Sequence, residues 1–186
     1  GDALFFVAQR TDYAHHVATR DKPELKDRAN PLYVEVLART ADGFLVFGRN
    51  VHDEVAGGAV NSISGAVRPD YHMQDELLLP EKSALITAWD EANIESDNLW
   101  IKPKFVVREK EQRHPTLAYV GDTSFTTVEL DDRMKLMGSL NSAAFSELVY
   151  VKDEPDIVER ALEEIDFHDR VNITLMYYLE NFAQMH

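Results

Sequence analysis

Hydrophobic and polar positions along the chain change period several times, and each change marks an element. The stretch "LYVEVLART" (32–40) alternates apolar and polar residues and is rich in β-branched side chains, which predicts a half-buried strand. After the turn Ala41-Asp42-Gly43, "FLVFGR" (44–49) continues as a second strand, so 32–49 reads as a hairpin. "ALFFVAQ" (3–9) reads as a short strand, and 11–31, polar with Pro23 and Pro31, as loop. Residues 50–79 read as irregular, broken by Gly57-Gly58, Gly65 and Pro69.

At Pro80 the period becomes helical. Proline suits a first helical turn, where its missing N–H forfeits no bond. Ala84, Leu85, Ala88, Trp89 and Ala92 then share one face, which predicts an amphipathic helix over 81–92 with Trp89 in the core. Strands follow at 99–109 and 116–130 around a turn at Arg113-His114-Pro115, then a short helix at 132–140 and a strand at 147–152. Two helices, 155–164 and 168–184, end the pattern. Strands, one helix, more strands and terminal helices predict a mixed sheet with helices on its faces, not a regularly alternating doubly wound fold. No repeat or linker divides the 186 residues, so one domain is expected.

Charge narrows the chemistry. With 19 basic and 33 acidic residues the net charge is −14, which repels phosphate backbones and argues against nucleic-acid binding. Much of the acid lies in "KDEPDIVERALEEIDFHD" (152–169), read as a solvated helix face. Cysteine is absent, which excludes disulfides, thiolate chemistry and cysteine zinc sites. No apolar run reaches the ~20 residues of a membrane span. "ALFFVA" is short and follows Asp2 where a signal peptide would be basic, so the cytoplasm is the expected compartment. P-loop, Gly-x-Ser-x-Gly, His-Glu-x-x-His and dinucleotide motifs do not occur.

The hairpin ending "FLVFGRN", the glycine loop "NSISGAVRPD" and a helix closing Asp90-Glu91-Ala92-Asn93-Ile94 together resemble a Nudix domain. The family signature runs G-x5-E-x7-R-E-U-x-E-E-x-G-U, with U aliphatic. Gly65 takes its first glycine, Asp90 and Glu91 its Glu-Glu pair, Asn93 its last glycine and Ile94 its last aliphatic residue. Ile86 stands at the signature arginine and Thr87 at the first helix glutamate. About seven residues are inserted between Gly65 and Ile86, within "RPDYHMQDELLLP". Asn93 keeps a residue type that tolerates the left-handed conformation ending a helix. Thr87 is the damaging change, because residues 87 and 91 stack on one helix face and two carboxylates there would share a hard cation. Ile86 removes the guanidinium that in the family braces the acidic cluster.

The resemblance covers about residues 32–152 and implies a Nudix-like α/β/α sandwich with a mixed β-sheet, here with extra C-terminal helices at about 155–185. It implies a divergent pyrophosphohydrolase acting on a nucleoside diphosphate-linked substrate, an NTP or a nucleotide sugar. The helix and the enlarged loop are similar to the branch acting on UDP-sugars. By position it assigns Glu91 and Asp90 as ligands of Mg2+ or Mn2+, with Glu147 as a catalytic base. Arg49, Arg68 and Gly65 are the substrate-binding candidates. Asp75, Glu76 and Glu81 lie near the place of the signature's earlier glutamate, and Glu76 or Glu81 would supply the missing charge if the insertion folds back. The alternative within the same fold is a catalytically silent domain that binds a nucleotide or serves as a scaffold. His15-His16 and His114 read as solvated and turn residues. Tyr177, Tyr178 and Phe182 read as helix packing, with base stacking or the seal of a homodimer as the other uses.

Overall fold

The computed structural model describes residues 15, 18–19, 22, 24–25, 29–50, 58–67, 73–74, 77–108, 114–138 and 145–182. The expected strand at 3–9 lies outside them. His15, Ala18 and Thr19, expected in a loop, are helical, with the Thr19 hydroxyl donating to the His15 carbonyl at 2.8 Å.

Strands β1 (Tyr33–Arg39) and β2 (Phe44–Asn50) form the expected hairpin, with Arg39 opposite Leu45 near its tip. Further from the tip it opens to admit β3 (Val60–Ala66). Residues 63–66 of β3 pair antiparallel with β1, and residues 60–62 pair antiparallel with β2. β3 was expected to be irregular. Its sequence, "VNSISGA", is poor in strand formers, and burial between neighbours overrides that propensity.

Part of the insertion forms a ribbon of β4 (Met73–Gln74) and β5 (Leu77–Leu78). Helix α1 (Pro80–Ala92) follows, with Pro80 in its first turn as expected. A single 3-10 turn at Ser96–Asn98 leads into β6 (Leu99–Arg108) and then β7 (Pro115–Thr123). Helix α2 (Thr127–Gly138) begins where 127–130 were expected to remain strand. β8 (Phe145–Lys152), α3 (Pro155–Glu164) and α4 (Asp169–Glu180) close the chain, the last three close to expectation.

The six-stranded sheet runs β6-β7-β1-β3-β2-β8 and is mixed, since β1 and β7 are parallel and the other pairs antiparallel. Alternation along β1 sends Val34, Val36 and Ala38 to one face, against Ala84, Ala88, Ala92 and Leu130 of α1 and α2. Leu37 points to the other, against Val158, Val171, Leu175 and Tyr178 of α3 and α4. The result is the expected α/β/α sandwich with extra C-terminal helices. No helix among the described residues is long and apolar enough to cross a membrane.

The buried face of α1 differs from its expected apolar face. Ser83, Ala84, Thr87, Ala88 and Ala92 are buried, whereas Trp89 is 45% exposed. Small side chains let α1 approach β3 closely, and that approach turns the bulky indole outward. Trp89 is therefore not a core residue.

Candidate functional site

Helix α1 ends as the Asn93 substitution permits. Asn93 adopts the left-handed conformation (φ 53°), and its amide returns to the Trp89 carbonyl at 3.0 Å. The turn delivers Ile94 into the core, fully buried. Arg133 of α2 fixes it from outside: its Nε donates to the Asn93 carbonyl at 3.0 Å, it pairs with Glu95, and it lies 4.4 Å over the Phe125 ring.

Glu91, two residues before this cap, reaches the sheet. The pairing of β2 with β3 stops at Ser62, and the Ser64 amide donates to Glu91 Oε2 at 2.7 Å. Burial pushes the Glu91 carboxyl up to about 8, and Asp90 adds to the rise, while the Ser64 bond and the charge of Arg170 oppose it. Asp90, the next residue back, is exposed.

Gly65 is placed by the same approach of α1. A Cβ added there would lie 2.8 Å from the Thr87 hydroxyl and 3.3 Å from its methyl. Where the signature puts a glutamate, this chain has a buried threonine packed on the strand.

The remaining candidates lie elsewhere. Arg49 and Glu147 sit opposite one another on β2 and β8 and form an exposed ion pair at 2.7 Å. Arg49 also donates to the Gly58 carbonyl. It is in register with Val60, four residues from Ser64, or roughly 13 Å along the strand. Glu81 is exposed at the start of α1, roughly 15 Å from Glu91 along the helix axis. Its charge, after burial, helps hold the Tyr119 phenol up at about 12. Arg68, Asp75, Glu76 and His16 lie outside the described residues. His114, expected as a turn residue, is buried and stacked on Tyr33 with ring centres 5.5 Å apart. Tyr178 is buried and Tyr177 packs on Phe105 at 4.3 Å, so these rings pack helix α4.

Two residues that pattern reading did not single out complete the picture. The Ser64 hydroxyl accepts from Arg170 Nη2 at 2.6 Å, and the Arg170 guanidinium lies 5.4 Å over the Tyr33 ring. Residues 64 and 170 are 106 apart in sequence, so no local spacing announces the pair.

Among the described residues, no group of three or more histidine, aspartate or glutamate side chains is placed to hold a metal ion. Glu91 turns one oxygen to a backbone amide and Asp90 is exposed. These donors alone do not match the near-octahedral oxygen shell of Mg2+.

No family model matches the chain, and no curated protein matches it. Solved structures do. The chain is similar to a Nudix hydrolase from M. smegmatis, RenU, at 14% identity and a TM-score of 0.58, over 87% of this chain and 93% of that one. It is similar to a C. elegans Ap4A hydrolase, crystallised as a binary complex, at 12% identity and a TM-score of 0.52, over 82% and 98%. A third likeness is to the Nudix domain of Shewanella oneidensis NrtR, complexed with ADP ribose, at 13% identity and a TM-score of 0.53, over 94% and 98%. At these identities the shared property is the fold, and the fold is the Nudix fold.

Proposed function

We propose that this chain is a Nudix-fold domain that binds a small nucleoside diphosphate-linked ligand at the open side of β3, beside Glu91, in the cytoplasm. The observation that carries the binding reading is Thr87. The position needed for a second helix carboxylate is a buried hydroxyl packed against Gly65. The remaining acid, Glu91, is tied to the Ser64 amide. The NrtR domain with ADP ribose is an example of the fold holding such a compound. Ile173, Met176 and Tyr177, exposed along α4, are the surface a homodimer would use.

The second reading is a metal-dependent pyrophosphohydrolase of an NTP or nucleotide sugar. It is supported by Glu91, retained near the C-terminal end of the signature helix with Asp90 beside it, in a fold shared with RenU. On that reading Glu91 and Asp90 would hold Mg2+ or Mn2+. The ion would neutralise the diphosphate and activate water when bound.

One panel separates the two. ATP, ADP-ribose, a dinucleoside polyphosphate and UDP-glucose are each tested for a rise in melting temperature, and for product release with Mg2+ and with Mn2+. Stabilisation by one compound without turnover supports the binding domain. Turnover that disappears in Glu91→Gln supports the hydrolase. A protein that neither binds nor cleaves any of them overturns both.

A further inference from the structure

The signature braces its acidic helix with an arginine at the position of Ile86, on the helix itself. The isoleucine cannot do this, yet Glu91 is held in a single bonded orientation. Ser64 shows how. It is bonded on two sides, its amide to Glu91 of α1 and its hydroxyl to Arg170 of α4. The two helices lie on opposite faces of the sheet, so one residue of β3 joins an acid from one layer to a base from the other.

The start of α4 is itself stitched to β3. The Val60 amide donates to the Asp166 carbonyl at 2.8 Å, and the His168 amide returns to the Val60 carbonyl at 3.0 Å. The Arg170 amide donates to His168 Nδ1 at 3.3 Å. Tyr33 of β1, stacked on His114, supports the guanidinium through its ring face. Arg170 is thus located by β1 and by β3, the strand whose Ser64 amide bonds Glu91, and its charge acts on that carboxyl in the favourable sense.

We infer that Arg170 is the positioning residue for Glu91: the C-terminal helix supplies, across the sheet and through Ser64, the cation that the signature takes from residue 86. The extra helices are then part of the site. This goes beyond the functional reading above, since it holds whether the site binds a ligand or cleaves one.

The test reads the Ser64–Glu91 bond in the free protein, so it is independent of any ligand. Amide exchange is followed by NMR in the wild type, Arg170→Met, Arg170→Lys and Glu91→Gln, and in Glu91→Gln combined with Arg170→Met. Methionine keeps an apolar stem and removes the charge. Arg170→Met is expected to lower protection at the Ser64 amide by roughly tenfold, equivalent to about 1.4 kcal/mol, while Ile63 and Val36 keep theirs. Arg170→Lys retains most of that protection. In the Glu91→Gln background, Arg170→Met has no further effect. Unchanged protection at Ser64 in Arg170→Met overturns the assignment. So does a loss spread evenly over β3, or one equally large in the Glu91→Gln background.

Discussion

Thr87 stands so close over Gly65 that a methyl group on the glycine would come within 2.8 Å of the threonine hydroxyl. Gly65→Ala should therefore destabilise the fold by about 1–3 kcal/mol, as overpacking does in well-filled interiors. Thr87→Ala opens the space, and adding it should recover much of the loss. Urea denaturation of both single variants and the pair checks this; additive effects would mean that the two residues are not in contact.

Restoring the signature acid at residue 87 should not restore a metal site. The position is 8% exposed and faces the strand, so Thr87→Glu buries an unpaired carboxylate. The expected cost is roughly 3 kcal/mol or more, without a gain in Mg2+ affinity. Calorimetric titration with Mg2+ and the melting temperature of the variant read the two effects separately.

Glu91 makes stability depend on pH in an identifiable window. Its carboxyl titrates near 8 in the folded chain against an ordinary 4.5. Between those values the folded state holds a proton that the unfolded state has released, so stability falls as pH rises from about 4.5 to 8 and levels off above. Glu91→Gln is neutral at every pH and keeps an oxygen for the Ser64 amide. The variant should match the wild type near pH 4.5 and exceed it progressively up to pH 8. Parallel melting curves across that range would refute the shift.

Arg49 and Glu147 should matter little to stability. Both are substantially exposed, so their coupling in a double-alanine cycle should be about 0.2–1 kcal/mol and should shrink in high salt. The same cycle run on ligand affinity asks whether either residue meets a ligand.

The Tyr178 hydroxyl donates to Asp153 Oδ1 at 2.8 Å, and Asp153 is nearly buried and also bonded by Arg39. Tyr178→Phe should cost roughly 1.5–3 kcal/mol, because it takes a partner from a buried carboxylate. Thermal unfolding measures it.

Much of the sandwich was legible because its strands and helices carry their period openly. β1 alternates, α1 opens at a proline and closes at an asparagine, and α3 and α4 fall near their expected bounds. β3 was hidden, since Asn61, Ser62, Ser64 and Gly65 have the composition of a loop and become a strand through pairing on both sides. The rotation of α1 was hidden for a related reason. An apolar count favours Trp89 and Leu85, whereas the sheet selects the small face that carries Ser83 and Thr87. The signature singles out Glu91 in the sequence, and the fold bonds it to the Ser64 amide. Ser64 and Arg170 were not legible, because their meeting is a property of the folded layers.

That distance along the chain also sets an order of events. The sheet joins β1 to β7 across some eighty residues, and the bond from Ser64 to Arg170 spans 106. On a ribosome, β3 and α1 are made long before the arginine that completes their surroundings. The surroundings of Glu91 are therefore complete only after α4 has been synthesised, and nascent chains interrupted before Arg170 carry the acid without its brace. Such non-local closure also slows folding, which leaves the chain's central strand waiting on its last helix.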